Sequence, residues 1–231
     1  MRYEIFTLLL AAHIFGDFAF QWDGLIRRKH RFPFLAFHGG IHALATYALL
    51  QIWTLWSVIP IVFLLHTYID WVKQRSGRDD ARAFVWDQTA HILSLAVVAF
   101  YVTHILEAEF EGIGYRPVVF LAGFLATVRG AGFLVGKVAD GLKDANKLQL
   151  NGLEKGGALI GTLERALIFL LVFLHQPAGI GFLVAAKSIL RFEEARKQEL
   201  AEYVLIGTLL SFTLAIALAS ATRWALGMPL P

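Results

Sequence analysis

Four pairs of His and Asp side chains, each pair spaced four residues apart, interrupt segments that are otherwise apolar and long enough to cross a membrane. The pairs are His13/Asp17, His38/His42, His66/Asp70 and Asp87/His91. Four residues is roughly one helical turn, so each pair lines one face of its helix. An Asp at the centre of a spanning helix costs on the order of 2.5–3.5 kcal/mol on insertion scales. Eight polar groups of this kind between residues 13 and 91 therefore need a compensating partner. A metal centre supplies one.

The chain has 231 residues, of which 57% are hydrophobic and 17% charged, with a mean hydropathy of +0.60. A soluble domain carries about 25% charged residues. The composition is that of an integral membrane protein. The first apolar run is broken by His13 and Asp17 and lacks a small-residue cleavage site, so no cleavable signal peptide is expected. Cysteine is absent, which excludes disulfides and thiolate metal sites. Imidazole and carboxylate remain as ligands, a set that suits zinc, iron or manganese. No soluble-domain-sized segment or low-complexity tract interrupts the pattern, and nothing in it points to nucleic acid.

The expected fold is all-α, a polytopic membrane helix bundle of about eight transmembrane helices. The expected spans are 3–21, 35–54, 57–73, 84–106, 116–136, 156–175, 178–192 and 201–221. Loop charge orients them. Basic loops follow spans one (Arg27, Arg28, Lys29, Arg31), three (Lys73, Arg75, Arg78, Arg82), five (Lys137, Lys143, Lys147, Lys155) and seven (Arg191, Arg196, Lys197). The alternate loops are uncharged, acidic (Glu107, Glu109, Glu111) or a tight turn at 175–177. The basic side is expected to be the cytoplasm, with both termini outside a bacterial inner membrane. Trp22, Trp53, Trp56, Trp71 and Trp86 fall at span ends, as an interfacial aromatic belt does.

That topology sorts the eight groups by depth. Asp17, His38, Asp70 and Asp87 make a layer near the cytoplasm. His13, His42, His66 and His91 make a deeper layer about 6 Å away, from a rise of about 1.5 Å per residue. The first four spans are thus expected to form a metal-binding four-helix core from two repeated hairpins, within residues 1–110. An isolated intramembrane His–Asp pair is ordinarily an interhelical hydrogen bond. Four pairs at one depth point instead to one or two divalent ions, zinc foremost, with manganese or iron as alternatives. Gln21, Lys73 and Gln88 lie beside these faces and are candidates to orient ligands. His30, His104 and His175 read as ordinary.

Residues 111–231 form a second transmembrane part with a polar cluster. Glu164 and Arg165 interrupt span six, and Lys187 and Arg191 lie one turn apart on span seven. A charged stretch from Glu193 to Glu202 follows. Two readings stand: mutual neutralisation, as in Glu164 with Lys187 or Arg165 with Glu202, or a pocket for an anionic headgroup built on Glu164, Arg165, Lys187 and Arg191. The polar stretch 137–155 reads as a surface helix or a cover over the site.

The segments His13-Ile14-Phe15-Gly16-Asp17, His66-Thr67-Tyr68-Ile69-Asp70, Asp87-Gln88-Thr89-Ala90-His91 and Ala185–Phe192 together resemble an uncharacterised family of bacterial integral membrane proteins. The resemblance extends over 161–165 and 202–208. It implies a polytopic membrane fold and no particular activity. The His/Asp pattern is also similar, in ligand type alone, to membrane-bound metal-dependent hydrolases.

The leading functional expectation is a membrane-embedded metal-dependent hydrolase acting on a lipid or lipid-linked phosphate at the cytoplasmic leaflet. Asp17 or Asp87 would be its general base. The alternatives are a divalent-metal or proton transporter, since intramembrane His and Asp mark ion pathways, and a di-iron membrane oxidase or a haem-binding protein.

Overall fold

The computed structural model describes residues 3–22, 24, 28–148, 156–190 and 198–229. Arg27, Lys155, Arg191, Glu193, Glu194, Arg196 and Lys197 lie outside the described residues, so the loop charges and the headgroup contact assigned to them have no structural counterpart here. The described chain is helical: α1 (Tyr3–Phe18), α2 (Phe32–Leu50), α3 (Val58–Ser76), α4 (Ala81–Phe100), α5 (Tyr115–Leu125), α6 (Ala131–Asn146), α7 (Gly156–Phe173), α8 (Pro177–Leu190) and α9 (Gln198–Ala225). Two π-helical turns, Tyr101–Ile105 and Ala126–Gly130, continue α4 and precede α6.

Local chemistry sets several of these ends. Pro33 occupies the first turn of α2, where its missing N–H is no loss. Asp80 caps α4 by accepting the Ala83 N–H at 2.7 Å. Gly77 ends α3 in the left-handed region at φ 62°, a conformation that costs glycine least.

Five helical stretches are long and apolar enough to cross a membrane: Phe32–Leu50, Ala81–Ile105, Tyr115–Asn146, Gly156–Phe173 and Gln198–Ala225. Helix α1 has only 16 residues, and α3 carries Asp70, Lys73 and Arg75 within its 19. The helices differ from the expected spans at their ends. Helix α1 stops at Phe18, so Gln21 does not continue its polar face as expected. The fifth span, expected to end at 136, stays helical to Asn146, which puts half of the polar stretch 137–155 on that helix.

The chain divides into two compact units, Met1–Leu125 and Ala126–Pro231. In the first, α1 packs on α2, α2 on α3, α3 on α4, and α4 back on α1, which closes a ring. Helix α5 packs on α1. Ile5, Leu8 and Leu9 of α1, Ala43 and Leu50 of α2, Val58 and Val62 of α3, and Leu95 and Val98 of α4 form one apolar core. On every helix of the ring the His/Asp pair lies on one side of that core, with the His of the deeper set nearer to it. The usual inside–outside arrangement is inverted: these His and Asp side chains are buried, Asp17 partly so, while Leu44, Leu64, Leu93 and Val97 are exposed. A hydrocarbon surround favours that distribution, because apolar side chains there have nothing to gain by burial. The five tryptophans assigned to span ends are exposed as well.

In the second unit, α9 packs on α6 and α7, and α8 packs on α7. Ile168, Phe169, Val172, Phe212, Ala215 and Ala219 form its core. Arg223, 0% exposed, stands at one end of that core. It donates through Nη1 to the Val172 and Phe173 carbonyls at 3.2 Å each and through Nε to Pro229 at 3.1 Å. Its Nη2 also meets His175 Nε2 and the Pro229 carbonyl. The last carbonyls of α7 lack partners within their own helix, and Arg223 supplies them. Replacing Arg223 by Ala removes its bonds to several acceptors at once, leaving the Val172 carbonyl with the His175 N–H alone. It should destabilise this unit by about 3 kcal/mol, summing lost charged hydrogen bonds and unsatisfied carbonyls. A lowered thermal midpoint in detergent checks this; an unchanged midpoint contradicts it.

Candidate metal centre

The ring of α1–α4 brings the four His/Asp pairs together. Among the imidazoles, His42 and His66 stack at 3.5 Å between centroids, His66 and His91 lie at 4.3 Å, and His13 and His91 at 4.8 Å. His13 is 5.3 Å from His42 and 5.5 Å from His66. Next to them stand Asp17, His38 and Asp70. His38 Nε2 is 3.2 Å from Asp17 Oδ1 and 3.6 Å from Asp70 Oδ2.

Two groups have ligand atoms within 4.8 Å of one another: Asp17, His38, His42 and His66; and His66, Asp70 and His91. The first contains a tight triangle. His42 Nε2 lies 3.1 Å from His38 Nε2, and both approach Asp17 Oδ1, at 3.3 Å and 3.2 Å. Ligands 2.0–2.1 Å from a tetrahedral zinc are themselves about 3.3 Å apart, so these three atoms already stand at the edge lengths of a coordination polyhedron. The three helices that supply this group also pack together through the apolar core.

The second group could also hold a cation. His91 Nδ1–H donates to the Asp87 carbonyl at 2.9 Å, which leaves Nε2 with its lone pair. That Nε2 is buried and makes no hydrogen bond, and neither does His66 Nε2. Asp70 Oδ2 is 3.8 Å from His66 Nε2, and Asp70 Oδ1 is 4.0 Å from His91 Nε2. Buried nitrogens without partners are costly unless something else engages them.

His13 and Asp87 stand beside these groups rather than in them. His13 Nε2 is 3.3 Å from Gln88 Oε1. Asp87 Oδ2 accepts from Lys73 Nζ at 2.7 Å and from Gln88 Nε2 at 3.3 Å, while its buried Oδ1 makes no hydrogen bond. Gln88 Nε2 also donates to Asp17 Oδ2 at 3.1 Å, so one amide orients two carboxylates. Gln88 and Lys73 therefore both touch the cluster. Gln21 does not bond to it; its Oε1 is buried without a hydrogen bond.

Three contributors were hidden in the sequence. Lys29 reads as a loop charge among its basic neighbours, yet it is 7% exposed and donates to Asp70 Oδ2 at 2.9 Å. Gly16 and Gly39 are the others. A Cβ on Gly16 would collide with the His42 ring, and one on Gly39 with Thr67 Oγ1. A charge count of the buried carboxylates was the one available signal for Lys29. None pointed to the two glycines.

In the second unit the polar groups engage one another. Lys187 Nζ donates to Glu164 Oε2 at 2.7 Å, the mutual neutralisation. Arg165 turns inward against Gly132 and Gly161. It donates to the Val128 carbonyl at 3.0 Å, to Ser211 Oγ at 3.3 Å and to Thr162 Oγ1 at 3.4 Å. Its partner among the described residues is thus the π-helical turn rather than Glu202, whose Oε1 accepts from Gln198 at 2.9 Å.

The fold and this cluster define a helical, membrane-compatible protein with His/Asp groups that could hold a metal ion. Residues 5–112 match the model of a family described as a protein of unknown function (DUF3307). The match fits an uncharacterised family and takes in all eight His and Asp residues, while 161–165, 185–192 and 202–208 lie beyond it. No curated protein and no solved structure matches the chain.

Gly16→Ala tests the packing at the centre. The added methyl must push the His42 ring aside, a clash that costs about 1–3 kcal/mol in a packed interior. Equilibrated with zinc, the variant should take up less metal than wild type while keeping wild-type helicity by circular dichroism; equal uptake contradicts the geometry.

Proposed function

We propose that this protein is a membrane-embedded metal-dependent hydrolase whose centre binds one divalent ion, zinc foremost, through Asp17, His38 and His42, with a position left open for water. The observation that carries the reading is the triangle of Asp17 Oδ1, His38 Nε2 and His42 Nε2, with edges of 3.1–3.3 Å. The proposal includes the eight-span topology in a bacterial inner membrane, with basic loops and the shallow layer on the cytoplasmic side. It also includes the origin of the four-helix ring as two repeated hairpins.

Charge balance supports a single ion. Asp70 is neutralised by Lys29 and Asp87 by Lys73. Among the described residues, Asp17 alone of the three lacks an ammonium partner. One divalent ion against one uncompensated carboxylate leaves the centre positive, and a positive centre at low dielectric favours an anionic substrate. A lipid-linked phosphate presents that anion at the depth of the shallow layer. Arg165 and Lys187 are engaged within their own unit, so this reading draws its substrate contacts from α1–α4.

A bound divalent ion supplies Lewis acidity and makes water a better nucleophile at neutral pH. Asp87 is the general base in this scheme. Lys73 and Gln88 anchor its Oδ2, and its Oδ1 keeps open lone pairs to receive a proton. Asp17 is a ligand, oriented by the Gln88 amide. The direct stacking of His42 on His66 favours a bare ion over a haem held between imidazoles.

Two measurements test this. His42→Ala should strip the metal, as measured by elemental analysis of the purified protein. Asp87→Asn should retain the metal and lower kcat on lipid-linked phosphates by roughly 10²–10⁴-fold, the range of general base catalysis. Metal-dependent ion flux in proteoliposomes without phosphate release would replace the hydrolase with a transporter. Full metal content in His42→Ala would remove the centre itself.

A further inference from the structure

The second ligand group, His66, Asp70 and His91, raises a question that the single-ion reading leaves open. It offers two buried, unbonded imidazole nitrogens and a carboxylate, which is the makings of a second cation site. What stands against its carboxylate is Lys29. Its ammonium lies 2.9 Å from Asp70 Oδ2, and both side chains are buried. Asp70 Oδ2 in turn is 3.6 Å from His38 Nε2 and 3.8 Å from His66 Nε2.

We infer that Lys29 is a built-in cation that substitutes for a second metal ion, and that the His66/Asp70/His91 group is a latent divalent-metal site which Lys29 keeps vacant. The argument rests on the proposed metal reading of the first group and extends it. A divalent ion on Asp70 Oδ1 would sit within a few ångströms of an ammonium on Oδ2, and like charges that close repel strongly in a low-dielectric interior. The carboxylate can serve only one of them well. Lys29 is covalently tethered, so it is always present, whereas a metal ion must be drawn from a scarce pool. Lys29 therefore wins at ordinary metal concentrations. Without its ammonium, Asp70 is a buried charge with no full counter-ion. Such a charge must find a proton or a cation, and His66 Nε2 and His91 Nε2 stand ready to complete a metal's coordination.

The consequence is a count. Purified wild type equilibrated with zinc should hold one zinc per chain. Lys29→Met should hold two, and Lys29→Met combined with Asp70→Asn should return to one. Lys29→Arg, which keeps the charge, should stay at one. One zinc in both wild type and Lys29→Met overturns this inference alone. Two zincs in wild type also overturn it, while the metal reading of the first group stands. No zinc in wild type overturns both. Where Lys29→Met proves too unstable to purify, zinc in the growth medium should restore it. Rescue by Asp70→Asn but not by zinc counts against the inference.

Discussion

Everything in the first unit answers to the expense of holding carboxylates inside a bundle with little water. Asp17, Asp70 and Asp87 would each favour unfolding or protonation if left alone. Each is given a partner of its own kind. Asp70 takes the ammonium of Lys29, Asp87 takes that of Lys73, and Asp17 accepts from the Gln88 amide and faces the His38 and His42 imidazoles. The ring of four helices exists in a form that lets these pairings happen at one depth. The apolar core beside them ties the same four helices together, with Ile5, Ala43, Val62 and Leu95 in one cluster.

The pairings also divide the labour. Two carboxylates are satisfied by the chain's own cations. The third is satisfied only by neutral or partly charged donors and faces two imidazoles at bonding distance. Asymmetry among three chemically identical groups is what separates a binding site from a polar plug. It arises from where two lysines are placed, one in the segment before α2 and one in the last turn of α3.

Much of this could be read from the chain. Helical spacing placed His13/Asp17, His38/His42, His66/Asp70 and Asp87/His91 on single faces, and the membrane composition required those faces to turn inward. Six of the eight now fall in two ligand groups. Spacing cannot say which side chain meets which, so the separation of His13 and Asp87 from those groups had no signal. Helix ends were placed a few residues short even where a cap marks them, since Gly77 and Asp80 bound helices expected to stop at 73 and to start at 84. They were misjudged where polarity was taken for an end, since α6 carries its charged residues onward to Asn146. Lys29 was concealed by its neighbours: in a run of basic residues, a lysine bound for the interior looks like the rest. In the second unit, residue types alone could not decide between an anion pocket and internal pairing. Distance decided it for Glu164 and Lys187.

The two glycines beside the imidazoles carry a lesson for anyone wishing to transplant this arrangement. Gly16 gives the His42 ring its room, and Gly39 does the same for Thr67. A host bundle furnished with every His and Asp but with alanine at those two places would hold its helices too far apart for the nitrogens and oxygens to converge. The recipe is therefore partly written in missing atoms, and a copy that preserves only the reactive groups leaves out the spacing that makes them useful.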